Sequence, residues 1–264
     1  MTGTGQPDGP VATVLVVGCS RGLGAALVDG LLHHTSYTVL GLSRTPGERI
    51  PDLEHWTASG RFHYLCADIG APEVALPIQD WLAATSPSGR LMVILNAACI
   101  DRDVRDDATV DYPVWHRVNR VAVTGLGHLL EAVEAALLHR GGVLVGISSI
   151  NALKPPVVEM RLAYAPGKAY LDMTWRVLDR LWGRRVRLVT VHLGRIEGSP
   201  GGGPAVLRKP SYAQAAAWLL DRLLTDHPPR ELTYPLPYRI FYRWLLPAVP
   251  DRLYCWLIQR LLRV

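Results

Sequence analysis

The chain has 264 residues, of which 49% are hydrophobic and 19% charged. That balance excludes a disordered polymer and predicts one larger globular domain. The net charge of +5 comes from arginines, the only lysines being Lys154, Lys168 and Lys209. No long basic run with interleaved aromatics occurs, which argues against nucleic acid. The charge suits an anionic cofactor, an anionic carrier or a lipid surface. Cys19, Cys66, Cys99 and Cys255 lack zinc spacing, so no metal site is expected, and the first three read as buried thiols in apolar runs. The start has no basic, apolar signal segment, and no run approaches 18 uninterrupted apolar residues. A cytoplasmic location is the expectation.

Residues 1–10, rich in Gly, Pro and Thr, read as a loose tail. From there strand and helix patterns alternate. Strands are predicted over 11–17, 37–43, 62–67, 91–95, 142–148 and 187–192. Helices are predicted over 25–33, 74–84, 114–138, 165–181 and 212–224. The strands are nearly continuous apolar runs, as in a parallel sheet covered on both faces. Residues 198–210, dominated by Gly and Pro, read as a mobile loop.

Two short patterns carry chemistry. Gly18-Cys19-Ser20-Arg21-Gly22-Leu23-Gly24 follows the first strand and opens a helix. Glycines there let the backbone approach a pyrophosphate, and the helix N-terminus offers free N–H groups with partial positive charge. Farther on, Tyr164 and Lys168 are four apart on a predicted helix, hence on one face. An ammonium beside a phenol favours the phenolate and lowers the tyrosine pKa, as an acid/base working near neutral pH requires.

With the spacing G-x-x-x-G-x-G and the pair Y-x-x-x-K, the chain resembles the short-chain dehydrogenase/reductase family over roughly residues 11–235. Asn96-Ala97-Ala98 resembles the family's N-A-G segment, and Asp68 with Ile69 falls where an adenine contact is expected. Trp115 to Asn119 resembles the W-x-x-V-N segment, Ser148-Ser149 ends a strand at the position of the catalytic serine, and Leu193-Gly194-Arg195-Ile196 resembles the P-G-x-I segment beside the nicotinamide. The departures are Val17 for a Thr, Ala98 for a Gly, Leu193 for a Pro, and Gly198 for a Thr that Ser199 could replace.

The resemblance implies a single-domain, Rossmann-like, doubly wound parallel sheet in three α/β/α layers. It would span 11–237, with an additional apolar helical segment over 238–264. It implies a tetrad of Asn119, Ser149, Tyr164 and Lys168, with Ser148 the weaker candidate for the serine. It also implies a cofactor site of Gly18, Ser20, Arg21, Gly22, Leu23, Gly24, Ser43, Arg44, Asp68, Ile69, Asn96, Ala97, Ala98, Tyr164, Lys168, Gly194 and Ile196. The second strand ends Leu42-Ser43-Arg44-Thr45 with no acid for a ribose 2′-hydroxyl, while Arg44 and Arg21 could hold a 2′-phosphate. NADP(H) is therefore expected over NAD(H).

The expected activity is reduction of an apolar ketone or aldehyde to an alcohol, with Tyr164 as the acid. Alternatives are epimerisation, dehydration or cyclisation without net redox, or an NADP(H)-sensing binding protein. The helices over 114–138 and 165–181 resemble those through which the family pairs, so a homodimer or homotetramer is expected. In the C-terminal segment, 239–246 precedes a second helix opening at Pro250-Asp251. Leu253, Tyr254, Leu257, Ile258 and Leu261 share one face of it. That face could pack on the body or a partner subunit, cover the substrate, or lie on an anionic membrane.

Overall fold

The computed structural model describes residues 11–45, 50–85, 89–154, 161–199, 209–236 and 248–262. Seven parallel strands form one sheet in the order β3-β2-β1-β4-β5-β6-β7. They are β1 (Val11–Val17), β2 (Thr38–Ser43), β3 (Phe62–Cys66), β4 (Arg90–Leu95), β5 (Gly142–Ser149), β6 (Val186–Leu193) and β7 (Glu231–Tyr234). Between them run α1 (Gly22–His34), α2 (Leu53–Ala58), α3 (Ala75–Ala84), α4 (Tyr112–Asn119), α5 (Gly125–Arg140), α6 (Tyr164–Trp182) and α7 (Tyr212–Leu223), and α8 (Asp251–Leu262) follows.

Two apolar layers sandwich the sheet. One joins it to α3, α5 and α6, around Leu126, Leu129, Val133 and Trp175. The other joins it to α1 and α7, around Leu27, Leu31, Leu219 and Leu223. The central strands are apolar over most of their length because both faces are covered; β5 is buried at every position, including its closing serines. Trp175, on α6, locks into this packing by donating its indole N–H to the Leu144 carbonyl at 3.2 Å.

The sheet order reverses between β1 and β4, which opens a crevice at the C-terminal ends of the strands. Register brings the key termini together there. Val17 pairs with Leu95, and Ser149 with Leu193. The glycine loop, Asn96, Ser149 and Gly194 therefore leave the sheet at one edge.

The helix expected over 114–138 is interrupted. After α4 the chain makes a π turn, Arg120–Thr124, before α5. Asn119 turns its side chain back on the helix, donating Nδ2–H to the Trp115 carbonyl at 3.0 Å, and β-branched Val121, Val123 and Thr124 follow. By length and composition Tyr112–Arg140 is apolar enough to cross a membrane. Here its apolar positions pack on the sheet.

Two short elements went unread in the sequence. Helix α2 buries no residue, and β7 has only four residues. Cys66 differs from its expected burial. It ends the edge strand β3, is exposed, and lies 3.5 Å from the Arg44 carbonyl, whereas Cys19 and Cys99 are buried. The N-terminal tail, residues 200–208 of the expected loop and residues 239–246 lie outside the described residues. So do the side chains of Leu257, Ile258 and Leu261.

Candidate active site

The glycine loop begins where β1 ends. Gly18 adopts φ 87° and donates its N–H to the Leu42 carbonyl at 2.7 Å, which bends the chain sharply out of the sheet. Behind it, Asn96 Nδ2 donates to the Gly18 carbonyl at 2.8 Å, so the segment after β4 braces the loop. Gly24 sits against that same carbonyl, and a Cβ at Gly24 would collide with it. Ser43, at the end of β2, accepts from the Ser20 amide at 3.0 Å. Arg21 is the N-cap residue of α1, but no side chain caps that helix and its first turn holds no acid. An uncapped helix N-terminus behind a glycine turn is a fit for a pyrophosphate.

The other predicted contacts line the same edge. Arg21 and Arg44 are exposed, as is Ala98, while Leu23 and Ile69 are buried. Asp68 accepts from the Gly70 amide through Oδ1 at 2.9 Å, which aims its carboxylate, and Arg120 approaches its Oδ2 at 3.9 Å. Gly194 is held to β7, its N–H donating to the Tyr234 carbonyl at 2.7 Å. Ile196 is buried, and its amide donates to Ser199 Oγ at 3.0 Å, so that hydroxyl is engaged within its own turn.

Tyr164 opens α6, and the segment before it is pinned by a carboxylate. Asp103 is fully buried and accepts from the Leu162 and Ala163 amides at 2.8 and 2.7 Å. These are end-of-helix donors that would otherwise lack partners. Ser149 Oγ accepts from the Asn151 amide at 3.2 Å, and its hydroxyl is close enough to the Tyr164 phenol to favour the phenolate. Neighbouring Ser148 has its hydroxyl 3.5 Å from the Lys168 carbonyl. The Ser148 hydroxyl is thus spent on the α6 backbone, and Ser149, at the end of the strand, is the serine that acts on the Tyr164 phenol.

Electrostatics at the pair differ from the sequence expectation. Burial pushes the Tyr164 phenol above its ordinary value, with the Ser149 hydroxyl and the Arg161 charge pulling the other way. Lys168 does not offset this. It is itself buried, Nζ donates to the Ile147 carbonyl at 2.6 Å, and it lies 5.9 Å from the Tyr164 ring centroid. Burial lowers the Lys168 pKa to about 8, opposed by Asp172 one turn along. A desolvated ammonium satisfies itself on the nearest backbone oxygen, and desolvation governs both groups.

Between Tyr164, Lys168, the Asn96-Ala97-Ala98 segment and the π turn lies a cavity of about 20 Å³, room for one water. Asn119 borders it in sequence, next to the wall residues Val118, Val121 and Ala122. A larger open depression of about 980 Å³ lies to the side, between Glu197, Gly198, Lys209, Trp218 and Tyr234. Tyr164 is not among the described residues that line it.

The sequence profile of the short chain dehydrogenases matches residues 12–202. The chain belongs to the short-chain dehydrogenase family. No curated protein matches it. A short-chain dehydrogenase of Streptomyces avermitilis is 22% identical, covering 95% of this chain and 98% of that one, with a TM-score of 0.74. One from Burkholderia cenocepacia, solved in complex with NADP, is 21% identical, with 97% and 98% covered and a TM-score of 0.70. A 3-ketoacyl-ACP reductase of Sinorhizobium meliloti is 22% identical, with 84% and 96% covered and a TM-score of 0.71. These similarities establish the fold, and the family is one of oxidoreductases that bind a nicotinamide cofactor.

Within a short-chain dehydrogenase, the departure at Gly198 has a local cause. Gly198 has φ 66°, and any Cβ there would collide with the Tyr212 hydroxyl. The same tyrosine packs close to Gly22 of the glycine loop. Tyr212 starts α7 and donates its amide N–H to Glu197 Oε2 at 3.1 Å. It joins the two loops that flank the crevice, and nothing in its sequence context marks it. Asp103 was equally invisible, one acid in the mixed-charge run from Asp101 to Asp107.

Proposed function

We propose that this short-chain dehydrogenase reduces the carbonyl of an apolar ketone or aldehyde to an alcohol, using NADPH. The carrying observation is the convergence of Tyr164 and Lys168, one helix turn apart on α6, with Ser149 acting on the phenol and Lys168 buried against the Ile147 carbonyl. A bound nicotinamide would supply hydride. Ser149 would hold the substrate oxygen, and Tyr164 would donate its proton to that oxygen as charge develops. A phenol held above its ordinary pKa is fully protonated at neutral pH, which suits an acid in the reductive direction. Lys168, with Asn119 and the small cavity behind it, would restore that proton through water.

The glycine loop from Gly18 to Gly24, the α1 N-terminus, Asp68, Asn96 and the Gly194–Ile196 turn would hold the dinucleotide. The preference for NADP(H) is supported by exposed Arg44 and Arg21, with no acid at the end of β2. The Burkholderia relative was solved with NADP. Pairing of subunits through α6 is supported by an exposed apolar stripe of Tyr170, Met173, Val177 and Leu181. An apolar substrate is supported by α8, which docks beside the segment that follows Ser149.

The test is Tyr164→Phe. With a carbonyl substrate that the wild type reduces, kcat should fall about 10²- to 10⁴-fold, the usual worth of a general acid, while NADPH affinity is kept. Unchanged turnover sinks the mechanism.

A further inference from the structure

Asp172 lies one turn beyond Lys168 on α6, so the helix face that carries Tyr164 and Lys168 carries an acid next. Against it stands His192 of β6, only 3% exposed. Its Nε2 is 2.7 Å from Asp172 Oδ2, and its Nδ1 is 3.3 Å from Glu231 Oε1 of β7. A neutral imidazole has one N–H and one lone pair, so a neutral ring would turn a lone pair on one of the two carboxylates. Only the imidazolium suits both, with a hydrogen bond to Asp172 and an ion-pair contact, not aligned as a hydrogen bond, to Glu231.

The charges that face this cluster can be named element by element. From α6 come Tyr164, Lys168 and Asp172, and from β6 His192. β7 contributes Glu231. β5 contributes no charge, only the Ile147 carbonyl and the Ser148 hydroxyl on the two ends of Lys168. Arg161, before α6, acts on Tyr164. Asn119 on the α4 side is neutral. Lys168 and His192 as cations, with Asp172 and Glu231 as anions, sum to zero, which a buried site needs.

We propose that Asp172, His192 and Glu231 form an anion–cation–anion cluster around the buried His192 ring that clamps α6 to β6 and β7 and sets the charge of Lys168, Asp172 favouring the ammonium and His192 tempering that pull, with both as positioning residues. Asp172 opposes the desolvation of Lys168 directly, and His192 limits how much negative charge Asp172 presents. Two carboxylates outweigh burial at His192 and raise its pKa to about 9, so the ring is cationic at neutral pH. Only the catalytic consequence rests on the proposed function; the charge states do not.

The three lysines make the charge of Lys168 readable. With ε-¹³C-lysine in the full chain, and Lys154→Arg and Lys209→Arg for assignment, NMR should show Lys168 titrating near 8. In Asp172→Asn the Lys168 midpoint should fall by about one unit. In His192→Gln it should rise, because a balancing cation is gone. A purely structural tie predicts otherwise: loosening would admit water and raise the midpoint in both variants. A rise in Asp172→Asn therefore overturns the proposal, and Asp172→Glu should restore the wild-type value.

If Asp172→Asn does not fold, the wild type still decides. Imidazole ¹⁵N shifts must show both nitrogens of His192 protonated at pH 7, and a neutral tautomer overturns the proposal. In the NADPH assay the alkaline limb should follow the Lys168 midpoint. Shifted lysine signals with an unmoved alkaline limb would uphold the cluster and refute the assigned role of Lys168.

Discussion

Arg44 leaves the end of β2 where a site favouring a ribose 2′-hydroxyl carries a carboxylate. It is exposed, its carbonyl is 3.5 Å from Cys66 Sγ, and it adds to the positive field that, after Arg117, lowers the Asp101 pKa. A guanidinium free to turn toward a 2′-phosphate would add charge-assisted hydrogen bonds of about 1.5–3 kcal/mol. Arg44→Ala should therefore weaken NADPH binding about 10- to 100-fold by calorimetry and leave NADH binding unaltered. An equal loss for both nucleotides would remove Arg44 from cofactor choice. At this scale the glycine loop and the Tyr164–Lys168 pair are readable from local spacing, a strand followed by a turn and four residues on one helix turn, whereas Asn119 and Ser149 are named only by the resemblance to the family. Asp103, Tyr212 and His192 are readable from neither. Each acts on a partner at least 14 residues away in the chain, Asp103 on Leu162 and Ala163, Tyr212 on Glu197 and Gly198, His192 on Asp172 and Glu231. The expected depression of the Tyr164 pKa failed for a related reason. Helical spacing predicts proximity, but it does not predict that both groups are desolvated.

Helix α6 carries Tyr164 and Lys168 and is tied along its length. Asp103 holds the backbone before it, Lys168 reaches β5, Asp172 meets His192, and Asp179 pairs with Arg230 just before β7. Its limits, like those of β1, β4 and β5, were readable within two residues, since long periodic segments with apolar faces carry their own signal. The break between α4 and α5 was not readable, because a π turn keeps nearly helical periodicity. The tie through His192 has a consequence for stability. The folded pKa of about 9 lies above the unfolded value of 6.5, so the contribution is complete below pH 6.5 and disappears as pH rises through 9. Lys168 acts with the opposite sign. Its folded pKa of about 8 is below 10.5, so stability rises with pH across that later window. Between pH 6.5 and 8 the His192 term stands apart from it and predicts a fall on the order of 1–2 kcal/mol. Chemical denaturation across that range should show this decline in the wild type and a flatter profile in His192→Gln. Parallel profiles would mean that His192 is not charged in the fold.

The whole molecule places its least family-like part beside its chemistry. Lys154 lies five residues beyond Ser149, and its side chain is almost fully buried. Nζ donates to the Val249 carbonyl and to Asp251 Oδ1, both at 2.8 Å, and lies 5.9 Å from the ring of buried Tyr254. This docks α8 on the loop that connects the serine strand to the tyrosine helix. Packing on the body is thus realised at Tyr254, while Leu253 and Trp256 stay exposed on the same helix. Asp251 is 61% exposed, so solvent screens the ion pair and the carbonyl bond carries much of the tie. Lys154→Met keeps the apolar stem and removes the donor without stranding a buried charge, at a cost of about 1–3 kcal/mol. Because few other contacts hold α8 among the described residues, that loss should appear as local opening and not as global unfolding. Deuterium uptake over 248–262 should accelerate roughly tenfold or more, with β1 and β4 still protected. If α8 helps enclose the substrate, KM for an apolar carbonyl should rise in the same variant while NADPH affinity holds. Faster exchange with an unchanged KM would leave α8 docked beside the crevice but outside the substrate site.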